Sequence, residues 1–131
     1  MTKVAIIADT HWGVRGDSVP FMDMTKRFLD DVFFPTLGDR GISDIVHLGD
    51  LVDRRKQISY LTAGRLRKDF LNVLQRKNYQ MHVIAGNHDC YYKNTNQVNA
   101  LTELLGVNYP NIECYIGPEE VDLCGYQTLF I

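Results

Sequence analysis

Three short apolar runs, residues 4–8, 45–48 and 81–85, each end on a polar cluster. The clusters are Asp9-Thr10-His11, Gly49-Asp50-Leu51-Val52-Asp53-Arg54 and Gly86-Asn87-His88-Asp89. Runs this short, bounded by turn residues, read as buried strands. Amphipathic stretches at helical spacing lie between them. That alternation makes βαβ units and a largely parallel sheet. Loops leaving the carboxyl ends of neighbouring parallel strands open into one crevice. The pattern therefore confines the chain to an α/β architecture and gathers Asp9, His11, Asp50, Asn87 and His88 at one end of a sheet.

The intervening segments fix the expected layout. Strands are expected at 3–8, 44–48 and 80–85. A helix is expected at 21–37, with Phe28, Leu29, Val32 and Phe33 as its core stripe and Pro35 near its end, where proline does least harm or ends the helix. Gly38 and Gly41 are expected to bracket the turn that follows. A second helix is expected at 59–77, where Ala63, Leu66, Phe70, Val73 and Leu74 form the stripe. Tyr60, Leu61 and Leu71 widen that stripe beyond what one sheet face needs, which leaves apolar surface for a partner. A short helix at 97–105, capped by Gly106, and short strands at 112–115, 121–123 and 126–131 complete the chain. The last strand has no loop after it, where a further ligand would be expected, so residues 1–131 read as one truncated domain, an amino-terminal portion.

Composition sets outer bounds. A chain of 131 residues, 45% apolar and 23% charged, is an ordinary single soluble domain. No apolar run approaches the roughly 20 residues of a membrane span. Met1-Thr2-Lys3 leads straight into a strand and is not a signal peptide. Cys90, Cys114 and Cys124 are odd in number and lack metal-finger spacing, so reduced thiols in a cytoplasmic protein are expected. A net charge of −2 argues against bulk electrostatic coating of nucleic acid. Basic residues nevertheless bunch at Arg54-Arg55-Lys56, and bound dications would reverse the sign of the nearby acids.

The clusters carry the chemistry. Asp9 and His11 alternate about Thr10, so on an extended turn both side chains project to the same side. Asp50, with two carboxylate oxygens, is the candidate bridge between two cations. Asn87 offers a neutral carbonyl oxygen, and His88 a proton or hydrogen bond to developing charge. Asp53 is the candidate carboxylate that fixes the His88 tautomer. Carboxylate, amide and imidazole donors without thiolate suit Mn²⁺, Fe²⁺, Zn²⁺ or Mg²⁺. Two metals acting on a phosphate ester is the leading reading. His47 and His82, inside apolar strands, are expected as satisfied core or edge histidines. Tyr91 and Tyr92, beside the third cluster, are candidates for stacking on bases.

In order and spacing, Asp9-x-His11, Gly49-Asp50-x-x-Asp53-Arg54 and Gly86-Asn87-His88-Asp89 resemble the first three motifs of the calcineurin-like metallophosphoesterase superfamily. Asp9 to Gly13, Val52 to Lys56 and the stretch from Tyr92-Lys93-Asn94 to Leu105 resemble its SbcD-type repair and recombination nucleases, bacteriophage recombination endonucleases included. The resemblance implies the amino-terminal part of a two-sheet sandwich flanked by helices. It implies Mn²⁺ in both positions, with Asp9 and His11 on metal one, Asp50 bridging and Asn87 on metal two. His88 would act at the scissile phosphate, oriented by Asp53, with Arg54 on the phosphate and Arg55 and Lys56 on a polyanion. It further implies DNA as substrate, an SbcC-type ATPase as partner, and a homodimer through the helices near 59–77 and 97–105. The family's later histidines have no counterpart in this sequence, so metal two would be incomplete and activity weak or absent. The competing expectations are a phosphoprotein phosphatase or cyclic-nucleotide phosphodiesterase of the same fold, and a non-catalytic dimerising fragment.

Overall fold

The structure, a computed structural model, describes residues 2–53, 58–84, 90–92, 95–99, 109–115 and 117–131. Its centre is a four-stranded sheet in the order β1 (Val4–Ile7), β2 (Asp44–His47), β3 (Gln80–Ile84) and β6 (Ile112–Tyr115), parallel throughout. Two antiparallel hairpins accompany it: β4 (Cys90–Tyr92) with β5 (Thr95–Asn99), and β7 (Glu119–Leu123) with β8 (Tyr126–Phe130). The helices are continuous rods with a wide π turn in the middle of each. Helix α1 runs through Val19–Phe28, Leu29–Phe33 and Phe34–Arg40, and α2 through Tyr60–Leu66, Arg67–Leu71 and Asn72–Arg76. Among the described residues no helix is long and apolar enough to cross a membrane.

Register assigns the two sheet faces. Ala5, Ile45, Met81 and Ile112 form one row across the sheet, and Ile7, His47, Val83 and Cys114 the next. Both rows face the helices, because successive right-handed crossovers in one direction leave α1 and α2 on the same side. There Leu29, Phe33, Phe34 and Leu37 from α1 meet Leu66, Phe70, Leu71 and Leu74 from α2 in the main core. On the opposite face Val46 and Tyr115 pack against Leu123 and Phe130 of the β7–β8 hairpin. That hairpin leaves the β1 side of the face open, and Ile6 is 68% exposed.

Several expectations are revised. Proline at 35 does not end α1, which continues to Arg40 before Gly41 turns left-handed (φ 65°) and closes it. The π turn is the reason: Phe34 N–H bonds to Leu29 O, and the widened turn accommodates the proline ring and its missing N–H. Gly38 therefore lies within the helix. The same turn divides the expected stripe, burying Leu29 and Phe33 while Phe28 and Val32 face outward. In α2 the π turn brings Leu71 fully into the core, whereas Tyr60 is 99% exposed and Leu61 about half. Residues 97–99 are strand, not helix, because they pair with Cys90–Tyr92 across a hairpin. Residues 100–105 of that expected helix, and its capping Gly106, lie outside the described residues. Cys114 and Cys124 form no disulfide.

Candidate metal centre

The carboxyl ends of β1 and β2 do not splay apart when their strands stop. Leu48 N–H bonds to Ile7 O, Asp9 N–H to Gly49 O, His11 N–H to Asp50 O, and Trp12 N–H to Leu51 O, all at 2.9–3.1 Å. A parallel bridge between Trp12 and Val52 and a bond from Asp53 N–H to Trp12 O finish the seam. Two loops zipped in this way hold their side chains in fixed relation. Trp12, Leu51 and Val52 are buried and seal the seam from below.

The ligand residues are not on extended backbone, as alternation about Thr10 suggested. Asp9 (φ 56°), His11 (φ 45°) and Asp50 (φ 53°) are all left-handed, beside Gly49 at φ 107°. Asp and His tolerate that region better than most side chains, at a cost of roughly 1–2 kcal/mol each. Strained residues clustered together mark a functional site. Here the turns point all three side chains at one spot.

One donor atom each from Asp9, His11 and Asp50 lies within 4.8 Å of the others. His11 Nε2 is 3.8 Å from Asp9 Oδ1 and 4.0 Å from Asp50 Oδ2. The two carboxylates this close repel each other as anions, and together with the imidazole they fit a divalent cation of the hard to borderline class. Asp53 Oδ1 stands 3.3 Å from His11 Nδ1, the far nitrogen. A carboxylate at that position fixes the ring and raises its basicity toward a metal.

The floor of the site is polar as well. Buried His47 accepts the Gly49 N–H at Nδ1 (3.2 Å) and lies 3.1 Å from Thr10 Oγ1 through Nε2. The Thr10 hydroxyl donates to Leu51 O at 3.1 Å, so the proton between the two side chains belongs to His47 Nε2. Burial pushes the His47 pKa down to about 4, outweighing the pull of Asp50, and the ring is neutral. His47 is thus a satisfied core histidine, as expected, but one bonded to both ligand loops. Its position two residues ahead of Gly49 and Thr10's position between two ligands were the only sequence signals. His82, at the opposite face, stacks on Tyr115 with Nδ1 2.7 Å from its hydroxyl oxygen.

The remaining expected site residues are placed as follows. Arg54, Arg55, Lys56, Asn87 and His88 lie outside the described residues. Tyr91 belongs to β4 with Tyr92, immediately after the third cluster. Among the described residues the structure brings together Asp9, His11, Asp50 and Asp53.

A parallel sheet with helices on one face thus carries two zipped acidic loops at its carboxyl end. Residues 2–129 match the calcineurin-like phosphoesterase family, and the chain belongs to it. It is 32% identical over 127 residues to exonuclease subunit 1 of Enterobacteria phage T4, an alignment covering 94% of this chain. The chain spans about a third (35%) of that relative's length.

Proposed function

We propose that this chain carries the metal-binding half of a DNA phosphodiesterase, the nuclease subunit of a recombination and repair system. The observation that carries the reading is the convergence of Asp9, His11 and Asp50 on one point from two zipped loops. Supporting the choice of DNA are the likeness to a phage exonuclease subunit and the basic run Arg54-Arg55-Lys56 directly after Asp53. A bound divalent cation supplies Lewis-acid polarisation of the phosphate and a water acidic enough to act as nucleophile near neutral pH. Mn²⁺ is the proposed metal in two positions, with Asp50 bridging and Asn87 on the second.

The chain's own groups divide the remaining work. Asp9, His11 and Asp50 bind and orient. Asp53, expected to orient His88, is proposed instead to hold His11, whose far nitrogen it faces at 3.3 Å. His88 places a proton near the leaving oxygen, Arg54 neutralises phosphate charge, and Arg55, Lys56, Tyr91 and Tyr92 line the path of the nucleic acid. An SbcC-type ATPase is the proposed partner. A homodimer is proposed through the exposed start of α2, where Tyr60 and Leu61 face outward. The expected contribution of a helix at 97–105 is not retained, since 97–99 is strand.

The discriminating experiment supplies Mn²⁺ and compares end-labelled duplex DNA with a small phosphomonoester. Any cleavage by this chain, whose second metal position is incomplete, is expected to be weak, to be lost in Asp50→Ala, and to favour DNA over the monoester. Preferential monoester hydrolysis would transfer the chain to the phosphatase reading.

A further inference from the structure

We infer that His47 and Thr10 form a neutral hydrogen-bonded clamp that sets the distance between the two ligand loops, making both of them positioning residues for the metal centre. The inference rests on the proposed metal site and concerns residues that touch no cation themselves. The clamp is a directed chain running through the seam. Gly49 N–H donates to His47 Nδ1, His47 Nε2–H to Thr10 Oγ1, and the Thr10 hydroxyl to Leu51 O. Its ends flank Asp50 on both sides, and Thr10 stands between Asp9 and His11.

Chemistry explains why histidine serves here. A buried side chain must accept from a backbone N–H on one side and donate to a hydroxyl across the ring on the other. Neutral imidazole does both with a rigid plane between, and its protonated form could not accept from Gly49. His47 is 0% exposed and in register between Ile7 and Val83, so strand packing fixes the ring that fixes the loops. Left-handed turns at Asp9, His11 and Asp50 store strain that would relax if the loops separated. The clamp opposes that relaxation.

The test uses Thr10→Val, which keeps the shape and removes the hydroxyl, and Thr10→Ser, which restores it. Leu51 O keeps its bond from Trp12 N–H in both variants. Mn²⁺ affinity is read by calorimetry on folded protein, with thermal melting of the metal-free chain alongside. Thr10→Val is expected to bind Mn²⁺ about 10–100-fold more weakly, the usual loss when a residue supporting a ligand is removed. Thr10→Ser should return within about threefold of wild type. Ser59→Ala removes the α2 cap, in which Ser59 Oγ accepts from Thr62 N–H, and provides a destabilised control whose affinity should not move. Wild-type affinity in Thr10→Val overturns the clamp alone, as does equal weakening in Ser59→Ala. Absence of Mn²⁺ binding by the wild-type chain overturns the metal centre and the clamp with it.

Discussion

Asp9, His11 and Asp50 each occupy backbone that favours glycine, and none is replaced by glycine. The strain at these positions accompanies the convergence of the three side chains on one point in space. His47 is the opposite case, a residue whose burial keeps it uncharged and useful as a two-way hydrogen-bonding part. Its pKa falls from 6.5 to about 4 on folding, so between those values the unfolded chain binds more protons than the folded one. The His47 share of stability is complete above about pH 6.5 and is lost as pH falls toward 4. The His47 contribution is about 3 kcal/mol over that window. Urea melts of metal-free protein at several pH values check it, and His47→Gln should flatten the slope. A midpoint independent of pH in the wild-type chain would contradict a buried neutral ring. The sequence pointed to Asp9, His11 and Asp50 by type but not to their conformation, since apolar-run reasoning carries no information on left-handed turns.

At the level of elements, strand positions were legible because short apolar runs with polar ends have few alternatives. Helix faces were less so. The π turns of α1 and α2 shift which positions meet the core, leaving Val32 exposed in the first and Leu71 buried in the second. Residues 97–99 misled because Gln97, Val98 and Asn99 suit a helix as well as a strand, and only pairing with β4 decides. A polar feature of α2 was also invisible to periodicity. Asp69 is buried in the π turn, and Arg65 bonds it at 2.7 Å while reaching Asp23 of α1 at 2.8 Å. That bridge ties the two helices together. Arg65→Met would leave the Asp69 carboxylate buried without its cation and should cost roughly 3 kcal/mol. Chemical denaturation measures the loss, and Arg65→Met with Asp69→Leu should recover much of it. A single variant as stable as wild type would show that the bridge is ornamental.

Across the whole molecule, one sheet face is closed by α1 and α2, and the other is only partly covered by the β7–β8 hairpin. Ligand loops project from the sheet end between these layers. The division of labour follows: a core on the helix side holds β1 and β2 parallel, and their parallel register delivers the loops in phase. Family membership was readable from three motifs, because their order and strand-end placement are hard to meet by accident. The seam from Leu48 to Asp53 that makes the motifs one site was not, since it depends on backbone bonds between residues about forty positions apart. We propose that this seam builds a cation site from Asp9, His11 and Asp50. Calorimetric titration of Mn²⁺ into the wild-type chain, Asp50→Ala and His11→Ala tests it most directly. Wild-type binding that weakens at least 100-fold in each variant, with the fold intact by circular dichroism, is the predicted result. Binding of equal strength in all three proteins would contradict it.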